Sequence, residues 1–344
     1  MLNPKNIWIP VIIGLGIVIL LFFFDSNVTI SNLQLLFDAD TVGILLTVCT
    51  MAARHFGYAY RLRIISDQEL SWMRCIIIII LWEFASAVTP SVVGGTAVAI
   101  FILKMEGLNI GKSIAFVIVT AILDNIFFVI AAPLVLIMAP GQVFPNVSAA
   151  DLQIGNSLPY FFFINYGLIA IYTLAMSFGL FVKPRAFKSL LLKMTSFQWL
   201  GKWKLKAIEY GGQIMTASSE LKGKNAKYWL TISAITIVIW GSRYLTLNTI
   251  VYSFTAVSMD EHLVIFSRQV IMWIVMLISP TPGSSGTAEY FFIPFFQEYL
   301  KEYTFITAIF WRAMTYYPYL ILGALVLPRW LKKVFSKKRH KKTP

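Results

Sequence analysis

Two short segments, Thr89-Pro90-Ser91-Val92-Val93-Gly94-Gly95-Thr96-Ala97 and Thr281-Pro282-Gly283-Ser284-Ser285-Gly286-Thr287-Ala288-Glu289, interrupt stretches that are otherwise apolar. Proline removes a backbone donor and stops the helix arriving before it, and the Gly and Ser residues allow a sharp reversal before a second apolar run begins. Each copy therefore reads as helix, tip, helix. Lipid cannot satisfy open N–H and C=O groups, so irregular backbone at membrane depth is tolerated only where protein buries it or it lines a wet cavity. The pair reads as an internal duplication with two broken membrane helices, and the tips mark the candidate binding site.

With 58% hydrophobic and 13% charged positions over 344 residues, and a mean hydropathy of +0.73, the composition is that of a polytopic membrane protein. The first apolar run, Ile7 to Phe24, has no small-residue cleavage site after it and reads as a retained helix. Further runs long enough to cross the hydrocarbon lie near 39–60, 113–139, 159–182, 228–257 and 304–327, giving six full spans.

Basic residues between these runs are one-sided. The stretches 25–40, 140–158 and 258–262 contain no Lys or Arg. The opposite side collects Lys5, Arg61, Arg63, Arg74, Lys104, Lys112, ten basic residues from Lys183 to Lys227 and eight from Arg329 onward. Cytoplasmic loops carry the Lys/Arg excess, so both termini are expected in the cytoplasm. The net charge of +13 then meets anionic lipid and calls for no nucleic acid. Arg74 and Lys104 flank the first broken element, which should enter from the cytoplasm and return there. Asp260, Glu261, Glu298 and Glu302 flank the second, which should enter from outside.

The expected architecture is all-α: one integral membrane domain, 1–344, in which two oppositely oriented re-entrant hairpins form an inverted repeat. The first repeat covers about 39–139 and the second about 228–327, with a basic tail at 328–344. Between the repeats, 183–227 carries Phe187, Leu190, Leu191, Met194 and Phe197 at helical spacing among lysines, with Trp199 and Trp203 nearby. That pattern fits a helix lying along the inner membrane surface; a solvated basic linker would carry the same charge. Cys49 and Cys75 fall in separate segments and form no disulfide framework.

Ionisable side chains within apolar runs demand a reason, because each costs roughly 2.5–3.5 kcal/mol at the bilayer centre. Arg54, His55, Glu83, Asp124, Arg243, Arg268, Glu289 and Arg312 are of this kind. Snorkelling, outward for Arg268 and inward for Arg54, is the plain alternative, and it is the expected one for Arg268. Asp124 and Arg312 each sit in the span following a hairpin. Either they lock the two halves together as buried ion pairs, or Arg312 offers positive charge to a lipid phosphate while Asp124 orients it or carries a proton. Glu289 opens a half-helix, where it serves function or an ordinary helix cap.

The arms beginning after Gly95 and Gly286 would turn free backbone N–H groups and positive dipole ends inward, with threonine and serine hydroxyls beside them. The candidate lipid-binding residues are therefore Thr89, Pro90, Ser91, Gly94, Gly95, Thr96, Asp124, Thr281, Pro282, Gly283, Ser284, Ser285, Gly286, Glu289 and Arg312. The competing explanation is that the glycines permit close helix packing and the hydroxyls satisfy their own backbone. No His-Glu-x-x-His, Walker-type or Gly-x-Ser-x-Gly pattern occurs, and the three histidines at 55, 262 and 340 make no metal set. No catalytic residue, cofactor or metal is expected.

The stretches Ala87 to Ala97, Leu123-Asp124-Asn125, Ser279 to Glu289 and Trp311-Arg312-Ala313-Met314-Thr315-Tyr316-Tyr317 together resemble the transmembrane region of lysylphosphatidylglycerol synthases, a family also described as flippase-like. The similarity runs from the second span to the last. It implies a domain that moves aminoacylated phospholipid between leaflets, in a bacterial cytoplasmic membrane, while a separate domain, absent from this sequence, attaches the amino acid. Two departures bear on head-group preference. Thr96 stands where many members carry Glu, and Thr120-Ala121 where they carry Glu-Arg. The leading expectation is a lipid translocase and not an enzyme. The alternatives are a membrane-embedded lipid-binding partner of a soluble lipid-modifying enzyme docked on 183–227, and a secondary transporter of a small anion.

Overall fold

Twelve α-helices make up the described part of the chain, which in this computed structural model comprises residues 38–89, 92–145, 157–194, 204–278, 282–284 and 286–340. They are α1 (Thr41–Ile65), α2 (Trp72–Val88), α3 (Val92–Met105), α4 (Ile110–Met138), α5 (Leu158–Ser177), α6 (Pro184–Met194), α7 (Lys204–Lys222), α8 (Ala226–Phe254), α9 (Met259–Val275), α10 (Thr287–Leu300), α11 (Thr304–Thr315) and α12 (Tyr317–His340). A π-helical turn, Phe178–Val182, extends α5. Among the described residues, four stretches are long and apolar enough to cross a membrane: Thr41–Ile65, Ile110–Met138, Leu158–Val182 and Ala226–Phe254. These answer four of the six expected spans. The first expected span, Ile7 to Phe24, lies outside the described residues.

The sixth expected span, 304–327, is broken. α11 stops at Thr315, Tyr316 takes φ −118° and ψ −56°, and α12 begins at Tyr317. Pro318 is the cause. Inside a continuous helix its missing N–H would leave a carbonyl of the preceding turn unpaired, whereas in the first turn of a new helix that donor is not needed.

Helices α1 and α8 pack antiparallel along their length. Asp40 caps α1 by accepting from the Gly43 amide (3.1 Å), and its own amide donates to the Ser253 carbonyl (2.7 Å). Gly43 lies against Ser253, Thr47 hydrogen-bonds Thr249 (2.9 Å), Thr246 donates to Thr50 (3.0 Å), Gly57 sits under Ile239, and Arg61 donates to Thr236 (2.9 Å). Each step up α1 is matched by a similar step down α8. Small residues and hydroxyls are what helix pairs in lipid use, since apolar burial provides little drive there.

α2 and α3 form a tight hairpin. A Cβ on Gly95 would fall 2.1 Å from Ser86 Oγ, and Arg74 faces Glu106 at 3.7 Å, so the two ends lie together. The second arm begins at Val92, not after Gly95, so the paired glycines lie inside the helix. Gly95 thus serves the close approach of the arms. α9 and α10 form the second hairpin, around short 3₁₀ turns at Met276–Ile278 and Pro282–Ser284. Arg268 does not snorkel outward. It is buried and donates to the Gln142 carbonyl (2.7 Å), the Phe295 carbonyl (2.9 Å) and Glu298 (3.0 Å), which ties both arms to the loop after α4.

At one end of the bundle, Lys112 pairs with Glu69 (2.7 Å) and Lys224 with Asp67 (2.5 Å), gathering the connections near 66–71 and 223–225 with the start of α4. The segment expected on the membrane surface divides into α6 and α7; Phe197, Trp199 and Trp203 lie outside the described residues. α7 is not simply laid on lipid. Ala217, Ser218 and Leu221 are buried, Ser218 donates to the Leu180 carbonyl, and Gln213 accepts from the Gly111 amide (3.0 Å).

The antiparallel pairing is open to a direct check. With Cys49 and Cys75 replaced by serine, Thr47→Cys combined with Thr249→Cys should form a disulfide on mild oxidation in native membranes. Thr47→Cys with Thr231→Cys, far along α8, should not.

A tip-lined cavity as the candidate functional site

The second tip is held by one guanidinium. Arg312, on α11, donates from Nε to Glu289 Oε1 (2.7 Å) and from Nη2 to the Gly283 carbonyl (3.2 Å). The other Glu289 oxygen accepts from the Gly286 amide (2.8 Å), capping α10. Glycine is needed twice in this turn, at Gly283 (φ +57°) and Gly286 (φ +80°). Between them Ser284 also takes a left-handed backbone (φ +55°), which is uncommon for a residue with a side chain.

Tyr316, at the break between α11 and α12, joins this tip to the first one. Its ring covers Gly283 so closely that a Cβ there would come within 2.3 Å, and its hydroxyl donates to the Ala87 carbonyl near the end of α2 (3.0 Å). The Arg312 guanidinium lies over the same ring, 4.3 Å from its centroid. A helix break that length alone does not reveal therefore positions both tips.

Further ion pairs fix the surrounding helices. Arg61 binds Asp124 through two hydrogen bonds (2.6 and 3.1 Å), and Trp240 Nε1 donates to the same carboxylate (2.9 Å), so α1, α4 and α8 meet at one acidic group. Arg54 donates to Glu83 (2.8 Å) and Tyr319 (3.2 Å), joining α1 to α2 and α12. Both arginines are about 1% exposed, which corrects one expectation and removes one alternative. Arg61 is not a surface cation, and Arg54 does not snorkel inward. Each instead has its counter-charge within the bundle, as desolvation of a guanidinium requires.

Between the tips and these pairs lies a cavity of about 730 Å³. Of the candidate residues, Thr89, Thr96, Asp124, Gly283, Ser284 and Arg312 line it together. Thr89 directs its hydroxyl to its own helix, at the Ala85 carbonyl (2.6 Å). Gly95 packs against Ser86; Gly286 and Glu289 form the cap behind the lining; Gly94 and Pro282 belong to α3 and the 3₁₀ turn. Pro90, Ser91, Thr281 and Ser285 lie outside the described residues. Asp124 and Arg312 share the cavity, but each is paired elsewhere: Asp124 to Arg61, Arg312 to Glu289.

Tyr58, Arg61, Trp240, Arg243, Trp273 and Tyr319 also line the cavity and were not among the expected site residues. In the sequence Arg243 stands out only as a charge inside a span. The signal was its spacing: Trp240 and Arg243, three residues apart on α8, share one helix face with Tyr244 and Thr236. Leu168 and Tyr172 of α5, 46% and 56% exposed, also line the cavity, on the helix that exposes Ile164 and Ile171. The cavity thus reaches the apolar outer face of the bundle. Tyr172 also borders a second pocket of about 240 Å³, lined by Ile118, Met176, Gly179, Leu180 and Ile214.

The family model for the lysylphosphatidylglycerol synthase TM region matches residues 11–323. The chain belongs to this family. A UPF0104 membrane protein of Archaeoglobus fulgidus is 23% identical over 331 residues, a stretch covering 92% of this chain and 94% of that protein. No solved structure matches. Family membership and the four long apolar helices establish an integral membrane protein of this type.

Removing one partner of a buried pair leaves the other charge stranded, at about 3–5 kcal/mol. Arg61→Met alone should therefore destabilise the protein strongly in detergent unfolding, and shift Trp240 emission as the Asp124 network reorganises. Adding Asp124→Leu should recover a large part of the loss; no recovery would mean that the two side chains are not coupled.

Proposed function

We propose that this chain is a lipid translocase, in which the head group of a phospholipid or other lipid-linked anion enters the cavity between the two tips while its acyl chains remain in the bilayer. One observation carries the reading: residues from both tips line a single cavity whose mainly apolar wall carries a few hydroxyl, indole, carboxylate and guanidinium groups and includes the exposed Leu168 and Tyr172 of α5. Transfer of a charged group through hydrocarbon is prohibitive without replacement of its water. The hydroxyls, indole and guanidinium groups of this cavity supply such a replacement. The adjoining apolar pocket, sharing Tyr172, suits part of an acyl chain. A sideways opening favours a lipid over a small water-soluble anion, whose site would be enclosed.

In this reading the two hairpins are re-entrant elements of an inverted repeat, and rocking of the halves exposes the cavity to either leaflet. The antiparallel α1–α8 pair supports that symmetry, and so does the close spacing of Arg74 and Glu106 at the two ends of the first hairpin. The concentration of Lys and Arg on one end supports placement in a cytoplasmic membrane with that end inside. The chemistry is movement without covalent change.

The purified protein in liposomes should accelerate leaflet exchange of fluorescent phospholipid. Arg312→Ala, which releases Glu289 and Gly283, should reduce the rate by about tenfold or more, and Glu289→Gln by less. Absence of exchange for every head group tried, with the protein folded, would contradict the reading.

A further inference from the structure

Charge accounting within the cavity leaves one cation over. Three guanidinium groups line it, Arg61, Arg243 and Arg312, and two carboxylates, Glu83 and Asp124. Asp124 is taken by Arg61, Glu83 by Arg54, and Arg312 by Glu289 from behind the wall. Arg243 has no carboxylate within ion-pair distance among the described residues. Its guanidinium lies over the Trp240 ring, 5.4 Å from the centroid. That ring is itself fixed, because its N–H donates to Asp124 (2.9 Å), which Arg61 holds. The chain Arg61, Asp124, Trp240, Arg243 thus presents a preoriented fork of N–H donors to the cavity, in a part of the bilayer where an uncompensated cation calls for a partner.

We infer that Arg243 binds the phosphate of the cavity's ligand, and that this ligand is a singly charged phosphate diester, not a head group bearing a free ammonium charge. The diester supplies one negative charge and two oxygens in a plane, which match the guanidinium fork. It also neutralises the one cavity-lining guanidinium that has no carboxylate partner among the described residues. An ammonium on the same head group would cancel the diester's charge and restore the surplus cation, and both carboxylates lining the cavity are already ion-paired. The inference rests on the translocase reading for the source of the diester, a phospholipid; a soluble phosphate would use the same chemistry.

The test uses the full chain, purified and followed by native mass spectrometry with phosphatidylglycerol, phosphatidylcholine or lysyl-phosphatidylglycerol added one at a time. Wild type should retain phosphatidylglycerol about tenfold more strongly than either of the others. Arg243→Ala should abolish that preference, lowering phosphatidylglycerol retention about tenfold, and Arg243→Lys should keep part of it. Should Arg243→Ala fail to fold, the wild-type preference and Arg243→Lys still decide the matter. Equal retention of the three lipids by wild type, or an unaltered preference in folded Arg243→Ala, would overturn the inference. Displacement by millimolar inorganic phosphate would support Arg243 as the anion partner with a soluble source, and resistance to it would support the lipid source. Leaflet exchange with no head-group preference would remove the role given to Arg243 and leave the translocase standing. Arg243-dependent binding without exchange would do the reverse.

Discussion

A charge buried in a membrane protein has to bring its counter-charge with it, and this requirement organises the bundle. Arg54 with Glu83, Arg61 with Asp124, Arg268 with Glu298 and Arg312 with Glu289 each connect different helices, at 2.6–3.0 Å. Replacing such pairs by apolar side chains is often neutral for stability, so their value here lies in fixing relative position. Asp124 shows this most clearly, since one carboxylate receives Arg61 from α1 and Trp240 from α8. Arg243 is the exception among the guanidinium groups lining the cavity.

The second organising element is interruption. Lipid forces helices to be continuous unless protein covers the break, and here the breaks cover one another. Tyr316, freed from a regular helix by Pro318, reaches the Ala87 carbonyl of one tip and lies on Gly283 of the other. Its position requires glycine at 283, because any side chain there would occupy the space of its ring. The tips are thereby held together while the space beside them remains unfilled.

Much of this was legible in the sequence. Apolar length alone placed four spans, and the Pro-Gly-Ser segments located helix interruptions whose residues now line a common cavity. What composition could not show is which charges face each other. Arg61 read as a loop cation because it sits near the end of an apolar run, yet α1 continues to Ile65 and carries Arg61 into the core beside Asp124. Arg268 read as a snorkelling side chain for the same reason, since its three acceptors come from segments distant in sequence. The break at Tyr316 was hidden by the continuous hydropathy of 304–327, although Pro318 carried the signal. Gly95 looked like a ligand-facing residue and proved to be a packing contact, because the sequence does not reveal that Ser86 lies opposite.

In the proposed function the cavity is the passage for a lipid head group and α5 its lateral margin. A density map of the protein embedded in phosphatidylglycerol nanodiscs tests this most directly. The prediction is head-group density in the cavity beside Arg243 and Trp240, continuous with acyl chains that leave past Leu168 and Tyr172. Lipid density confined to the outer helix faces, with α5 closed against the tips and only solvent inside, would contradict it.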